Sequence, residues 1–172
     1  EEGGWLMLRL LLTALMLATL PACQREAENE KLAEISGKIF VFNYRLARAT
    51  YLVTLRRLAP FPDGGIAEAT FEDPRGGPPL TARQKLFPAM NKIVLESPAV
   101  HCVKKAKPYA VTIRLLGPED AEIQRLKTTI ASNVDQSLLP AKPLSLGPLY
   151  DRNPAVFRPD GSTDFSPEAC PE

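Results

Sequence analysis

The pattern of apolar and polar positions changes twice along the chain. Met7 to Leu20 is an almost unbroken apolar run, and Gln24 to Glu34 is polar with alternating charge signs. From Ser36 onward apolar and polar residues alternate, the mark of half-buried strands. Phe40, Phe42, Tyr44 and Leu46 alternate with Val41, Asn43 and Arg45, which predicts a first strand. Tyr51, Val53 and Leu55 predict a second, and Ala67, Ala69 and Phe71 a third. Turn residues separate them: Pro60 to Gly65 after the second, Asp73 to Pro79 after the third. Lys92 to Glu96 predicts a fourth short strand and His101 to Val103 a fifth. Tyr109, Val111, Ile113 and Leu115 give the cleanest alternation of all. Strands at this spacing predict a mainly β fold, a two-sheet antiparallel sandwich of the immunoglobulin-like kind.

Residues 119–138 carry two periods at once. Ile123, Leu126, Ile130 and Val134 sit at helical spacing, with acids at the start where a helix favours them. Leu126, Thr128 and Ile130 also alternate, and the β-branched run KTTI suits a strand. The hairpin, with LGPED as its loop, is the favoured reading; an α+β fold with one helix near 119–138 is the alternative. Residues 139–172 hold seven prolines but keep Leu144, Leu146, Leu149, Tyr150, Phe157 and Phe165. A disordered tail is poor in such residues, so this one is expected to be an ordered strap packed on the domain.

The apolar run has the parts of a secretion signal: one positive charge at Arg9, an apolar stretch, and small residues before a cut. It is shorter than the roughly 20 residues of a membrane-spanning helix, and Pro21 ends it. Leu20-Pro21-Ala22-Cys23 resembles the bacterial lipobox, with Pro21 where Ala, Ser, Thr or Val is usual. That resemblance implies diacylglyceryl attachment at Cys23 and a membrane partner through the N-terminal lipid. Gln24, rather than Asp, then implies the periplasmic face of the outer membrane. Secretion to the periplasm without a lipid is the alternative. Glu1 to Gly4 can be encoded by a purine-rich stretch resembling a ribosome-binding site, so translation is expected to start at Met7. The organisation that follows is a signal over 1–22, a lipidated tether over 23–35, a sandwich over 36–138 and a strap over 139–172.

Composition narrows the function classes. The 172 residues carry 21 Lys and Arg against 20 Asp and Glu. Removing residues 1–22 takes away Arg9, Glu1 and Glu2 and leaves the balance nearly even. Nucleic acid needs a concentrated basic face, so it is excluded as a partner. Lys104, Lys105 and Lys107 form the one dense basic spot, read as a solvated loop, or more sharply as a contact for anionic lipid. If Cys23 takes a lipid, Cys102 and Cys170 remain as a pair. Outside the cytosol two such thiols are expected to oxidise to a disulfide, adding roughly 4 kcal/mol by the chain-entropy model.

Catalytic chemistry finds little support in the residues. His101 is the single histidine, and a nucleophilic site needs a base oriented by an acid. One histidine and no cysteine cluster are too few ligands for zinc, so no metal and no cofactor are expected. Glu68 and Glu72 share a strand face about 13 Å apart, beyond the separation that glycoside hydrolysis uses. Gly64-Gly65 and Gly76-Gly77 read as turns, with no helix-opening phosphate pattern after them. Tyr150 and Phe157, in PLYDRNPAVF, are the candidate partner-binding residues, with core packing as the plainer reading.

SGKIFVFNYRL, ATYLVTLRRL and KPYAVTIRLL, placed after a lipobox and tether, resemble small envelope lipoproteins of the pilotin and YbaY-like type. The resemblance covers less than a third of the chain beyond Cys23 and implies a β-sandwich. The Pro-Ile-Pro-Phe segment of that family is missing. The expected function is a non-enzymatic structural or accessory subunit of an envelope assembly, with an envelope protein as partner. A small-ligand-binding lipoprotein with an apolar or glycan site is the alternative, and an envelope hydrolase the third reading.

Overall fold

Strands form where β-branched and aromatic residues alternate with polar ones, and Gly/Pro segments separate them. The computed structural model describes residues 31–171. The signal, Cys23 and the first part of the tether lie outside the described residues. Strand β1 (Ala33–Asn43) forms a hairpin with β2 (Arg48–Arg57), and β2 pairs on its other side with β5 (Lys92–Glu96). The second sheet runs in the order β4 (Leu80–Lys85), β3 (Ile66–Phe71), β6 (Pro108–Leu116), β7 (Glu122–Ala131). Every pairing is antiparallel. The chain is thus a β-sandwich, and its fourth strand joins the third rather than the first sheet.

The inner faces follow the alternation. Ala49, Tyr51, Val53 and Leu55 of β2 face Tyr109, Val111, Ile113 and Leu115 of β6 in one buried cluster. Aromatic rings fill its centre: Tyr51 stacks on Phe71 at 5.2 Å and meets Phe40 at 4.4 Å, and Tyr109 stands edge-on to Phe40 at 5.8 Å. Buried tyrosines need partners for their hydroxyls. Tyr51 donates to the Glu72 carbonyl at 2.8 Å. Tyr109, at the start of β6, accepts from the Lys104 N–H at 2.8 Å, the tyrosine corner of immunoglobulin-like sandwiches.

Four sequence expectations need correction or completion. The helix alternative near 119–138 does not form: Glu122–Ala131 is a strand, and Ile123, Thr128, Thr129 and Ile130 supply its β-branched residues. His101 to Val103 is not a strand, because Cys102 adopts a left-handed φ of 63° that an extended ladder does not accommodate. β1 ends at Asn43, short of Tyr44 and Leu46, because the Asn43 Oδ1 accepts the Leu46 N–H and starts the turn. β4 adds a strand that the alternation did not single out; it is an edge strand carrying Arg83 and Lys85. The strap is ordered, with a two-residue hairpin of β8 (Ser145–Leu146) and β9 (Asp151–Arg152).

Candidate functional site

Two features could carry function: the junction that fastens the strap, and the cleft where the edges of the two sheets meet.

Residues flanking Cys102 and Cys170 build the junction. The two sulfurs are bonded at 2.11 Å, with Cα atoms 5.5 Å apart. The bridge brings the neighbours of each cysteine together. His101 Nδ1 lies 2.6 Å from Glu168 Oε2, and Arg75 pairs with the other Glu168 oxygen. A carboxylate only accepts, so a neutral His101 carries its proton on Nδ1 and donates it. Burial pulls His101 below its ordinary pKa, the Arg75 charge adds to that, and Asp73 opposes it. This arrangement orients an imidazole, but its neighbour Cys102 is consumed in the disulfide.

Amide side chains extend the fastening. Gln136 is buried; its Oε1 accepts the Val103 N–H at 3.1 Å and its Nε2 donates to the Val100 carbonyl at 2.9 Å. Asn153 donates through Nδ2 to the Pro143 carbonyl at 2.7 Å and tightens the strap on itself. Leu144 and Ser145 donate their N–H groups to the Arg45 carbonyl, which ties the strap to the β1–β2 turn. That turn and the β8–β9 hairpin therefore share one end of the sandwich.

The sequence-derived candidates are distributed unevenly. Tyr150 is 56% exposed beside Leu149 at 82%, and the Arg45 guanidinium lies 5.2 Å from the Tyr150 ring centre. Phe157 is half-buried instead, edge-on to Phe165 at 5.9 Å and covered by Arg152 at 4.3 Å. Glu68 pairs with Arg83 and Arg114, and Glu72 accepts the Ala110 N–H at 2.8 Å, so each carboxylate has structural partners. Lys104, Lys105 and Lys107 are exposed, with Lys107 over the Tyr109 ring. Among the described residues, no three His, Cys, Asp or Glu side chains converge to hold a metal ion.

The cleft lies where β1 and β7, edges of different sheets, run side by side. At its closed end Gln124 accepts the Leu32 and Ala33 N–H groups and donates to the Ala33 carbonyl. Lys38 then crosses to Thr128 Oγ1 and the Thr129 carbonyl, each at 2.8 Å. Beyond Lys38 the edges part into a groove of about 220 Å³ lined by Ile39, Phe40, Phe42, Ala131 and Val134, with Ser132 and Asn133 as its polar members. Sequence reasoning missed this groove and the roles of Arg75 and Glu168. The Glu168 contact had one signal, its place two residues before Cys170.

Set against known proteins, the chain matches no family model and no curated sequence.

Proposed function

We propose that the chain is a non-enzymatic, lipid-anchored accessory subunit of a cell-envelope assembly, held at the periplasmic face of the outer membrane by acyl chains on Cys23. The Cys102–Cys170 pairing carries this reading. It fits an oxidising compartment, and it leaves Cys23, at the end of a signal-like run, as the third cysteine of the sequence. The solvent-facing apolar pairs Ile39 and Val41 on β1, and Leu149 and Tyr150 on the strap, are the surfaces offered to a protein partner. Catalysis is not part of the proposal, because His101, Glu68 and Glu72 all serve structural contacts.

The anchor is tested by Cys23→Ser. The variant should appear as a soluble periplasmic domain and lose incorporation of labelled fatty acid. Continued membrane association would reject the anchor. Crosslinking of the lipidated protein in intact cells should recover a specific envelope protein; recovery of none would reject the accessory role.

A further inference from the structure

The geometry points to the distal half of β1 as a strand-addition site: an extended, acid-flanked segment of a protein partner pairs with the free edge at Phe40 and Phe42 and seats an apolar side chain in the adjoining groove. This rests on the accessory-subunit reading and gives that partner a chemistry.

The edge is open in the backbone. Tyr51 directs its N–H and its C=O at Ser97, away from β1, and the Ala49 carbonyl accepts from Val100. Their β1 neighbours are Phe40 and Phe42. Residues opposite each other in such non-hydrogen-bonded pairs both turn their backbone groups outward. Phe40 and Phe42 therefore aim N–H and C=O at the free edge, and no described residue outside the strand bonds to them.

The two halves of β1 differ in how that edge is treated. Natural sheets blunt exposed edges with bulges, inward-pointing charges or covering groups. The first half has all three: a register shift between Ile35 and Gly37, Lys38 pointing inward, and Gln124 clamped over Ala33. Ile39 to Phe42 has none. Its outward side chains, Ile39 and Val41, are 57% and 41% exposed. A strand added here would point alternate side chains into the gap between the sheets, where the groove lies. A cavity of about 150 Å³ accepts a benzene ring, so 220 Å³ accommodates one large apolar side chain.

Charge selects the occupant. From Ala33 to Arg57 the hairpin carries five basic residues and a single acidic one, Glu34, which is paired with Arg56. A second copy would set these bases against their equals, whereas a segment with Asp or Glu beside its apolar core would meet Lys38 at one end and Arg45 at the other. Position argues the same way. The tether enters at Ala33, and Phe40 lies about 23 Å along the strand from it, so an anchored chain presents this edge away from its own membrane.

The test uses the purified full chain and a synthetic peptide alternating Val and Thr, with Phe at its centre and Asp at both ends. Binding should slow amide exchange in the β1 segment around Phe40 and Phe42. An N-methyl group on the peptide bond facing that edge should weaken binding by roughly tenfold, the worth of one or two backbone hydrogen bonds. Phe42→Lys, which repeats the Lys38 device, should weaken it similarly, and Val134→Arg gives a second variant at the exposed lip of the groove. No binding, equal binding of a Lys-ended peptide, or protection confined to the Tyr150 end would overturn the inference. So would self-association of the chain abolished by Phe42→Lys, which would make a second copy the occupant. Failure of the peptide leaves the Cys23 and crosslinking results standing, so the two readings fail separately.

Discussion

The sandwich and the strap are held by different physics. Between the sheets, Tyr51, Phe71, Phe40 and Tyr109 pack as one continuous cluster with aliphatic neighbours, so stability there is spread over many contacts. The strap has Leu139 and Val156 buried, but it is fixed by separate fasteners: a disulfide, the Glu168 ion pairs, Asn153 and Asp164. Burial is non-directional and shared among many contacts, whereas each fastener answers to one agent: reductant, loss of an amide, or acid. The contrast teaches that the strap can be released stepwise while the sandwich unfolds as a unit.

The sharpest way to break this contrast is Tyr51→Ala. It removes the ring at the centre of the cluster and should cost about 4–5 kcal/mol, measured by chemical denaturation. Sandwich and strap signals should be lost together. Cys170→Ser should cost less, roughly 3–4 kcal/mol, because the bridge closes a long loop. Here the strap should become protease-sensitive under conditions where the sandwich remains intact. Simultaneous loss of both would mean that strap and sandwich form one cooperative unit. Asn153→Ala comes next, at about 1–2 kcal/mol, since it leaves the half-buried Pro143 carbonyl without its donor and the Ala155 N–H without its acceptor. Hydrogen exchange should quicken around Pro143 to Val156 and stay unchanged in β6.

Legibility in the sequence follows the same division. β2, β3 and β6 were readable because one face of each is buried against a single core, which imposes a period of two on the residues themselves. β7 was harder to read, through its β-branched run and the short alternation of Leu126, Thr128 and Ile130, because polar Gln124 and Thr128 stand at inward positions. β4 escaped because an edge strand needs few apolar residues and tolerates Arg83 and Lys85. His101 to Val103 misled because apolar neighbours say nothing of φ, and Cys102 bends the chain to meet its partner. The Cys102–Cys170 pairing was legible only because the lipobox resemblance set Cys23 aside and left two cysteines. The groove was not, since Phe40 and Val134 lie far apart in sequence and meet only when two sheets stack. Pairwise polar fasteners such as Arg75–Glu168 leave no periodic trace at all.

The smallest expected effect concerns acid. Asp164 is held well below the usual carboxylate range, first by the Lys142 ammonium at 2.7 Å and then by Ser166. A depressed folded pKa means that the unfolded chain binds the proton more readily. The contribution is therefore complete above the unfolded value of about 3.9 and is lost as pH falls through the lower folded value. The sandwich has its own such group, Glu122, held down to about 2 by Arg125 and Arg114. Glu122 is exposed and Asp164 only half-buried, so each pair contributes little and salt screens it. The distinction lies in what is released: Asp164 also accepts the Ser166 N–H, and Ser166 in turn accepts from Ala141 within the strap. Titration into strong acid should free the Ser166 amide to exchange while the β6 amides stay protected, and Asp164→Asn should remove that pH step. A Ser166 amide indifferent to both changes would show that the strap is held there by burial after all, which would erase the difference between the two regions at this end of the chain.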